Sequence, residues 1–232
     1  MLSIITINRN NAIGLKATVD SLRTQSCQDF EWICVDGLST DESVKIAFDF
    51  RRQDDSVLTE ADTGIYNAMN KGARLATRRM VLFLNSGDIF YDSSAVHRIK
   101  QRCIDPIDLA MFGFEIRGML RYPRGLWWRY WSMPTSHQAI AYSREIVLKN
   151  PFNEEYRFAA DFDQFLRITS VSASISSSRE IVVTNESYGS DLSLSKVLDE
   201  YRRSLIENGC PRIWANLVHF VKRHYLKRAL AL

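Results

Sequence analysis

The side chains best suited to chemistry fall in separate short stretches. In VDGLSTD, Asp36 directly follows an apolar run. It can accept a hydrogen bond from the N–H of a bound base, or it can open an Asx turn. In LFLNSGDIF, another apolar run stops at Asn85-Ser86-Gly87-Asp88. Asp88 can cap the next turn, or it can hold a hard divalent cation that ties nucleotide phosphates to the protein, with Gly87 letting the backbone come close. In FAADFDQFLR, Asp161 and Asp163 sit two positions apart and face different ways on a helix, so they cannot act as a clustered pair. Asp161 lies between Phe158, two alanines and Phe162, a setting that raises a carboxyl pKa as a general base requires; capping the following helix is the alternative. EADTGIYNAMNKG carries Asn70 and Lys71, either solvated helix polars or donors to a diphosphate. SHQAIAY places His137 and Gln138 after Trp127, Trp128, Tyr130 and Trp131, whose faces can support a sugar ring or pack in a core.

The elements that must position these groups alternate. Residues 2–7 read as a strand, followed by a polar turn ending in Asn11 and a helix carrying Ile13, Leu15, Val19 and Leu22. The pattern repeats with strand 30–35 and helix 42–52, then strand 57–59, helix 66–76 and strand 80–84. Such alternation predicts an α/β fold, a mostly parallel sheet flanked by helices on both faces, with ligands bound beyond the carboxyl ends of its strands. Asn8, Asp36 and Asp88 each fall just past a different strand. Further on, 109–116 and 180–185 read as strands, 162–168 and 193–207 as helices, and 121–134 as an aromatic, basic loop. The last stretch has Trp214, Leu217, Val218, Val221, Tyr225 and Leu226 at helical spacing, with Lys222, Arg223, Lys227 and Arg228 for the other face. It predicts a basic amphipathic C-terminal helix, residues 209–232, beside a main domain of residues 1–208. That helix either lies on the inner face of a membrane or closes onto its own domain.

The 232-residue chain has a net charge of only +3, which gives no composition-level case for nucleic acid. Four scattered cysteines without a C-x-x-C pair fit a reducing cytoplasm better than a disulfide framework or zinc site. No signal peptide or membrane span is expected.

Together, SIITINRN, FEWICVDGLSTDES, DTGIYNAMNKG, LFLNSGDIF, SHQAIAY and ADFDQFLR resemble, in order and spacing over most of residues 1–170, the GT-A fold glycosyltransferases of family 2, nearest to the bacterial exopolysaccharide branch of colanic-acid and capsule enzymes. The resemblance implies a Rossmann-like GT-A domain and an inverting, nucleotide-sugar-dependent enzyme, with a UDP-sugar donor and a lipid-linked glycan acceptor. It implies that Thr6, Asn8 and Asp36 line the nucleoside pocket and that Asp62, Asn70 and Lys71 lie near the nucleotide. By the same likeness Asp88 binds Mn²⁺ or Mg²⁺, Asp161 is the catalytic base, and His137, Gln138 and Trp131 face the acceptor or diphosphate. Three departures stand out: the D-x-D motif keeps only Asp88, the family's V-D-D-G turn has become Asp36-Gly37, and the late Gly-Gly-x-Ser segment is echoed only by YGSDLS, residues 188–193. A nucleotidyltransferase is the rival enzyme, although no Gly-rich, Arg-containing loop follows the first strand. A non-catalytic nucleotide-sugar-binding module would need no Asp161.

Overall fold

A computed structural model describes residues 1–171, 173–185 and 194–230, with backbone only for 194 and 226–230; YGSDLS lies outside this set. The first half follows the expected alternation: β1 (Leu2–Asn8), α1 (Ala12–Arg23), β2 (Phe30–Asp36), α2 (Ser43–Phe50), β3 (Ser56–Thr59), α3 (Ile65–Leu75) and β4 (Met80–Phe83). These four strands pair in parallel in the order β3-β2-β1-β4. Every residue of β1, β2 and β4 is buried, as a sheet covered on both faces requires.

Side-chain alternation sorts the strands into two cores. Ile5, Ile7, Ile33, Val35, Val81 and Phe83 face α3. Leu2, Ile4, Trp32, Cys34, Met80 and Leu82 face α1 and α2. On the first face α3 sits so close that a Cβ on Gly72 would come within 2.4 Å of Ile5 Cγ2. Only glycine permits that approach.

The second half is mixed. It comprises β5 (Ile89–Phe90), α4 (Ala95–Arg102), β6 (Leu109–Ile116), β7 (Met119–Arg121), β8 (Ile140–Ser143), α5 (Arg144–Lys149), α6 (Ala160–Ser170), β9 (Ile175–Asn185), α7 (Leu194–Glu207) and α8 (Arg212–Leu230). β8 runs antiparallel between β4 and β6, while β9 runs parallel to β6. The described strands thus form one sheet, β3-β2-β1-β4-β8-β6-β9-β5, with β7 paired to β6.

The 121–134 segment departs from the loop expectation: it leaves β7 and forms a short 3-10 turn at Leu126–Tyr130. The C-terminal helix takes the second of its two expected placements, except at Lys222. Ala215 and Val218 of α8 join the core shared by β1 and β4, so α8 packs on the main domain. Lys222, expected on an outer basic face, turns inward between the rings of Trp131 and Tyr201, at 5.7 and 4.8 Å, and burial lowers its pKa to about 8. Trp214, Leu217, Phe220 and Tyr225 remain exposed. Among the described residues no helix is long and apolar enough to cross a membrane.

Candidate active site

The parallel register sets Asn8 beside Asp36 at the carboxyl ends of β1 and β2. Asn8 Nδ2 donates to Asp36 Oδ2 at 2.8 Å, and Ser39 donates to the same carboxylate through both its backbone N–H and its hydroxyl, at 2.7 and 2.6 Å. The loops that follow the two strands are both strained: Asn10 after β1 has φ +51° and Leu38 after β2 φ +57°, a region β-carbon residues enter at a cost of about 1 kcal/mol. Ser39 and Leu38 were not foreseen, and a positive φ leaves no sequence signal at a leucine. Asp62 adjoins this turn, its Oδ2 filling the space where a Cβ on Gly37 would lie, while its Oδ1 accepts from Gly64 N–H at 3.0 Å. Thr6, one step earlier on the same strand face as Asn8, does not reach this pocket: it is fully buried and accepts from Trp32 Nε1 at 2.9 Å.

The motif on α3 is mostly scaffolding. Asn70 is buried, with Nδ2 donating to the Phe152 carbonyl and to Glu154, and Oδ1 accepting from Phe152 N–H, each at 2.9 Å. Lys71 donates to the Ala61 carbonyl at 2.6 Å and pairs with Glu60 at 2.7 Å. Both therefore hold loops against the sheet instead of presenting free donors to a diphosphate.

Asp88 follows β4 through the turn at 85–88, where Gly87 takes φ +103° and Asp88 N–H reaches the Asn85 carbonyl at 3.0 Å. Its Oδ2 accepts from Gln138 Nε2 at 3.1 Å, and the Gln138 amide oxygen accepts from Ser136 at 2.6 Å. Gln138 and Asn85 line a cleft of about 710 Å³ that also contains His137, Tyr66, Asp161, Asn185 and Tyr201. His137 stacks on Phe83 with centroids 5.2 Å apart, and burial lowers its pKa to about 4, so the ring is neutral at ordinary pH. Trp131 is absent from this lining; it packs toward Lys222 behind the cleft, which corrects its acceptor-side assignment.

Asp161 sits in the first turn of α6, half-buried. Burial raises its pKa to about 6, opposed by hydrogen bonds from the Phe162 N–H and from the Tyr66 hydroxyl, the latter at 3.2 Å. The N-cap position is Ala159, which has no side-chain cap, and Glu200 of α7 anchors the residues leading into the helix, accepting from Arg157, Phe158 and Ala159 N–H at 3.0, 2.7 and 2.9 Å. The adjacent Tyr201 stacks on Phe162 at 4.2 Å. Asp163 has the separate structural role expected, bound to Arg167 and Asn208 at 2.8 and 2.9 Å.

Of the buried polar side-chain atoms left without a partner among the described residues, Asn85 Oδ1, His137 Nε2 and Asn185 Oδ1 belong to the cleft and Asn8 Oδ1 to the end of β1, where a ligand could satisfy them, and the others lie elsewhere in the fold. Asn85 Oδ1 and the Asp88 carboxylate offer hard oxygen donors, which fits Mn²⁺ or Mg²⁺ drawing its remaining ligands from phosphate and water. Among the described residues no group of three or more acidic, His or Cys side chains forms a complete protein cage.

The profile described as Glycosyl transferase family 2 matches residues 3–162. A PGL/p-HBAD biosynthesis glycosyltransferase of Mycobacterium bovis is 34% identical over 219 residues, covering 88% of this chain and 84% of that protein. Staphylococcus aureus TarS, residues 1–349, superposes with a TM-score of 0.68 at 18% identity, over 97% of this chain and 71% of its own. A mannosyltransferase of Pyrobaculum calidifontis, solved with GDP-Man and Mn²⁺, gives 0.70 at 16% identity, over 94% and 68%. These superpositions identify the sheet and its flanking helices as the GT-A, Rossmann-like fold. By the extent of the profile match and of the M. bovis relative, the chain belongs to glycosyl transferase family 2 and is a transferase.

Proposed function

We propose that the protein transfers a sugar, with inversion, from a nucleotide diphosphate donor to an acceptor hydroxyl. UDP-sugar is the donor we favour: TarS has been solved with UDP-GlcNAc and the M. tuberculosis glucosyl-3-phosphoglycerate synthase with UDP and Mn²⁺. The observation that carries the reading is Asp161: a half-buried carboxylate with a pKa of about 6, in the same cleft as the Asn85–Gln138 rim of Asp88. A binding module has no need of a carboxylate destabilised in this way.

Asn8 and Asp36, at the ends of β1 and β2, are placed to receive the nucleoside. Asp88 with Asn85 would hold the metal, which when bound neutralises charge on the leaving diphosphate. Asp161 accepts the acceptor hydroxyl proton as that oxygen forms its bond to the anomeric carbon and the bond to the diphosphate breaks on the opposite face. No covalent enzyme intermediate is required.

The motif resemblance supports a lipid-linked acceptor in surface polysaccharide synthesis, whereas the M. bovis relative is named for PGL/p-HBAD biosynthesis. In either setting the exposed aromatic residues of α8 support a cytoplasmic enzyme resting on the inner membrane face.

Thermal melting with UDP, GDP and dTDP, with Mn²⁺ and with chelator, tests the donor half. A ligand at a hundred times its Kd adds about 2.7 kcal/mol to stability. For a chain of this size that is a rise of roughly 5–10 °C, abolished by chelator. If no nucleotide raises the melting temperature in a metal-dependent way, the proposal fails.

A further inference from the structure

The acceptor end of the cleft has a charge pattern that the proposed reaction does not by itself require. Arg121, Arg124 and Arg157 line it, and among the described residues Asp161 is the one acidic residue in the lining. None of the three guanidinium groups has a carboxylate partner among the described residues. Arg124 lies over the Trp128 ring at 3.9 Å and Arg157 over Phe158 at 5.8 Å, and Arg121 reaches Met119 Sδ at 3.7 Å. Among polar lining residues such as Ser132 and Thr135, Phe114, Leu120 and Met133 supply accessible apolar surface beside the arginines, with Met69 and Ile116 buried beneath.

Sheet order separates this patch from the donor phosphates. Asp36 ends β2 and Asp88 follows β4, whereas Arg121 ends β7, which pairs with β6, two strands past β4 through β8. At about 4.8 Å per strand, β6 lies roughly 10 Å beyond the strand that leads to the metal ligand, on the side away from the nucleoside. A planar guanidinium already stacked on an aromatic face is pre-organised for bidentate binding of a phosphate or carboxylate. An apolar wall around it favours an anion that carries hydrocarbon.

We propose, resting on the transferase reading, that the acceptor is an anionic amphiphile: its hydroxyl meets Asp161, its phosphate or carboxylate lies on Arg121, Arg124 and Arg157, and its apolar portion lies against the Phe114–Met133 wall.

The test is calorimetric titration of the full chain, with UDP and Mn²⁺ occupying the donor site, using decyl phosphate below its micelle concentration, decyl glucoside and inorganic phosphate. Decyl phosphate is expected to bind at least about tenfold tighter than either of the others, the size of effect a charge-assisted hydrogen bond supplies. The R121Q/R124Q/R157Q variant is expected to lose about tenfold or more for decyl phosphate while its UDP affinity stays within about twofold. Equal binding of decyl phosphate and decyl glucoside, or unchanged binding by the variant, overturns the anion site. Equal binding of inorganic phosphate overturns the apolar part. A loss that appears in UDP affinity instead assigns the arginines to the donor. If UDP does not bind at all, the transferase reading falls, and decyl phosphate titrated into the protein alone still decides for or against the anion site.

Discussion

Replacing Asp161 by Asn should make the protein more stable and nearly inactive. The carboxyl has a pKa of about 6 in the fold against 3.8 as its reference, so the native state holds this proton more tightly than the unfolded chain does. Stability tied to that proton is present in full below the unfolded pKa and is lost as pH rises through about 6. With roughly 1.4 kcal/mol per pKa unit, the cost of the ionised group grows from about 1 kcal/mol at pH 4.5 to about 3 kcal/mol at pH 8. Asn carries no charge at either pH and can still accept from Tyr66, at a loss of about 1 kcal/mol for the weaker bond. The net gain at pH 8 is therefore about 2 kcal/mol, or some 4–8 °C in melting temperature for a chain of this length, shrinking to near zero at pH 4.5. Turnover should fall about 10²- to 10⁴-fold, the usual contribution of a positioned base. Calorimetric melts of both proteins at the two pH values, beside a product assay at pH 8, make the comparison. A gap that does not widen with pH would show that burial does not set the Asp161 pKa; full turnover would show that it is not the base.

Tyr66→Phe removes a hydrogen bond that favours the charged carboxylate, so the acid limb of the pH–rate profile should move above about 6 while donor affinity holds; an unmoved limb would separate Tyr66 from the base. Anionic liposomes should carry the full chain to the top of a flotation gradient but not a chain lacking residues 211–232, and equal flotation of the two would rule out α8 as the contact.

The first half of the fold was legible because local pattern suffices there. Runs such as Leu2–Asn8, then turn, then amphipathic helix, specify strand and helix without reference to distant residues. The second half was not, since β8 between β4 and β6, and β5 on β9, are pairings between residues far apart that no local period reports. Thr6 shares its strand face with Asn8, but its hydroxyl is taken by Trp32 Nε1, a cross-strand partner that strand parity does not report. Asn70 and Lys71 stood in the right motif, but whether a polar side chain meets a ligand or a neighbouring loop depends on Phe152, Glu154 and Ala61, which sequence spacing cannot bring near. Trp131 failed for the same reason: the turn at Leu126–Tyr130 aims it at α8.

One tie has a consequence for what counts as a working unit. The matched profile stops at residue 162, one position past Asp161. Yet the amides leading into that helix are anchored by Glu200, and the neighbouring ring is clamped by Tyr201. A chain trimmed to the matched region would keep Asp161 and lose both of these holds on the start of its helix. The smallest unit that holds Asp161 in its observed place therefore extends at least through α7, beyond the last residue the family pattern marks.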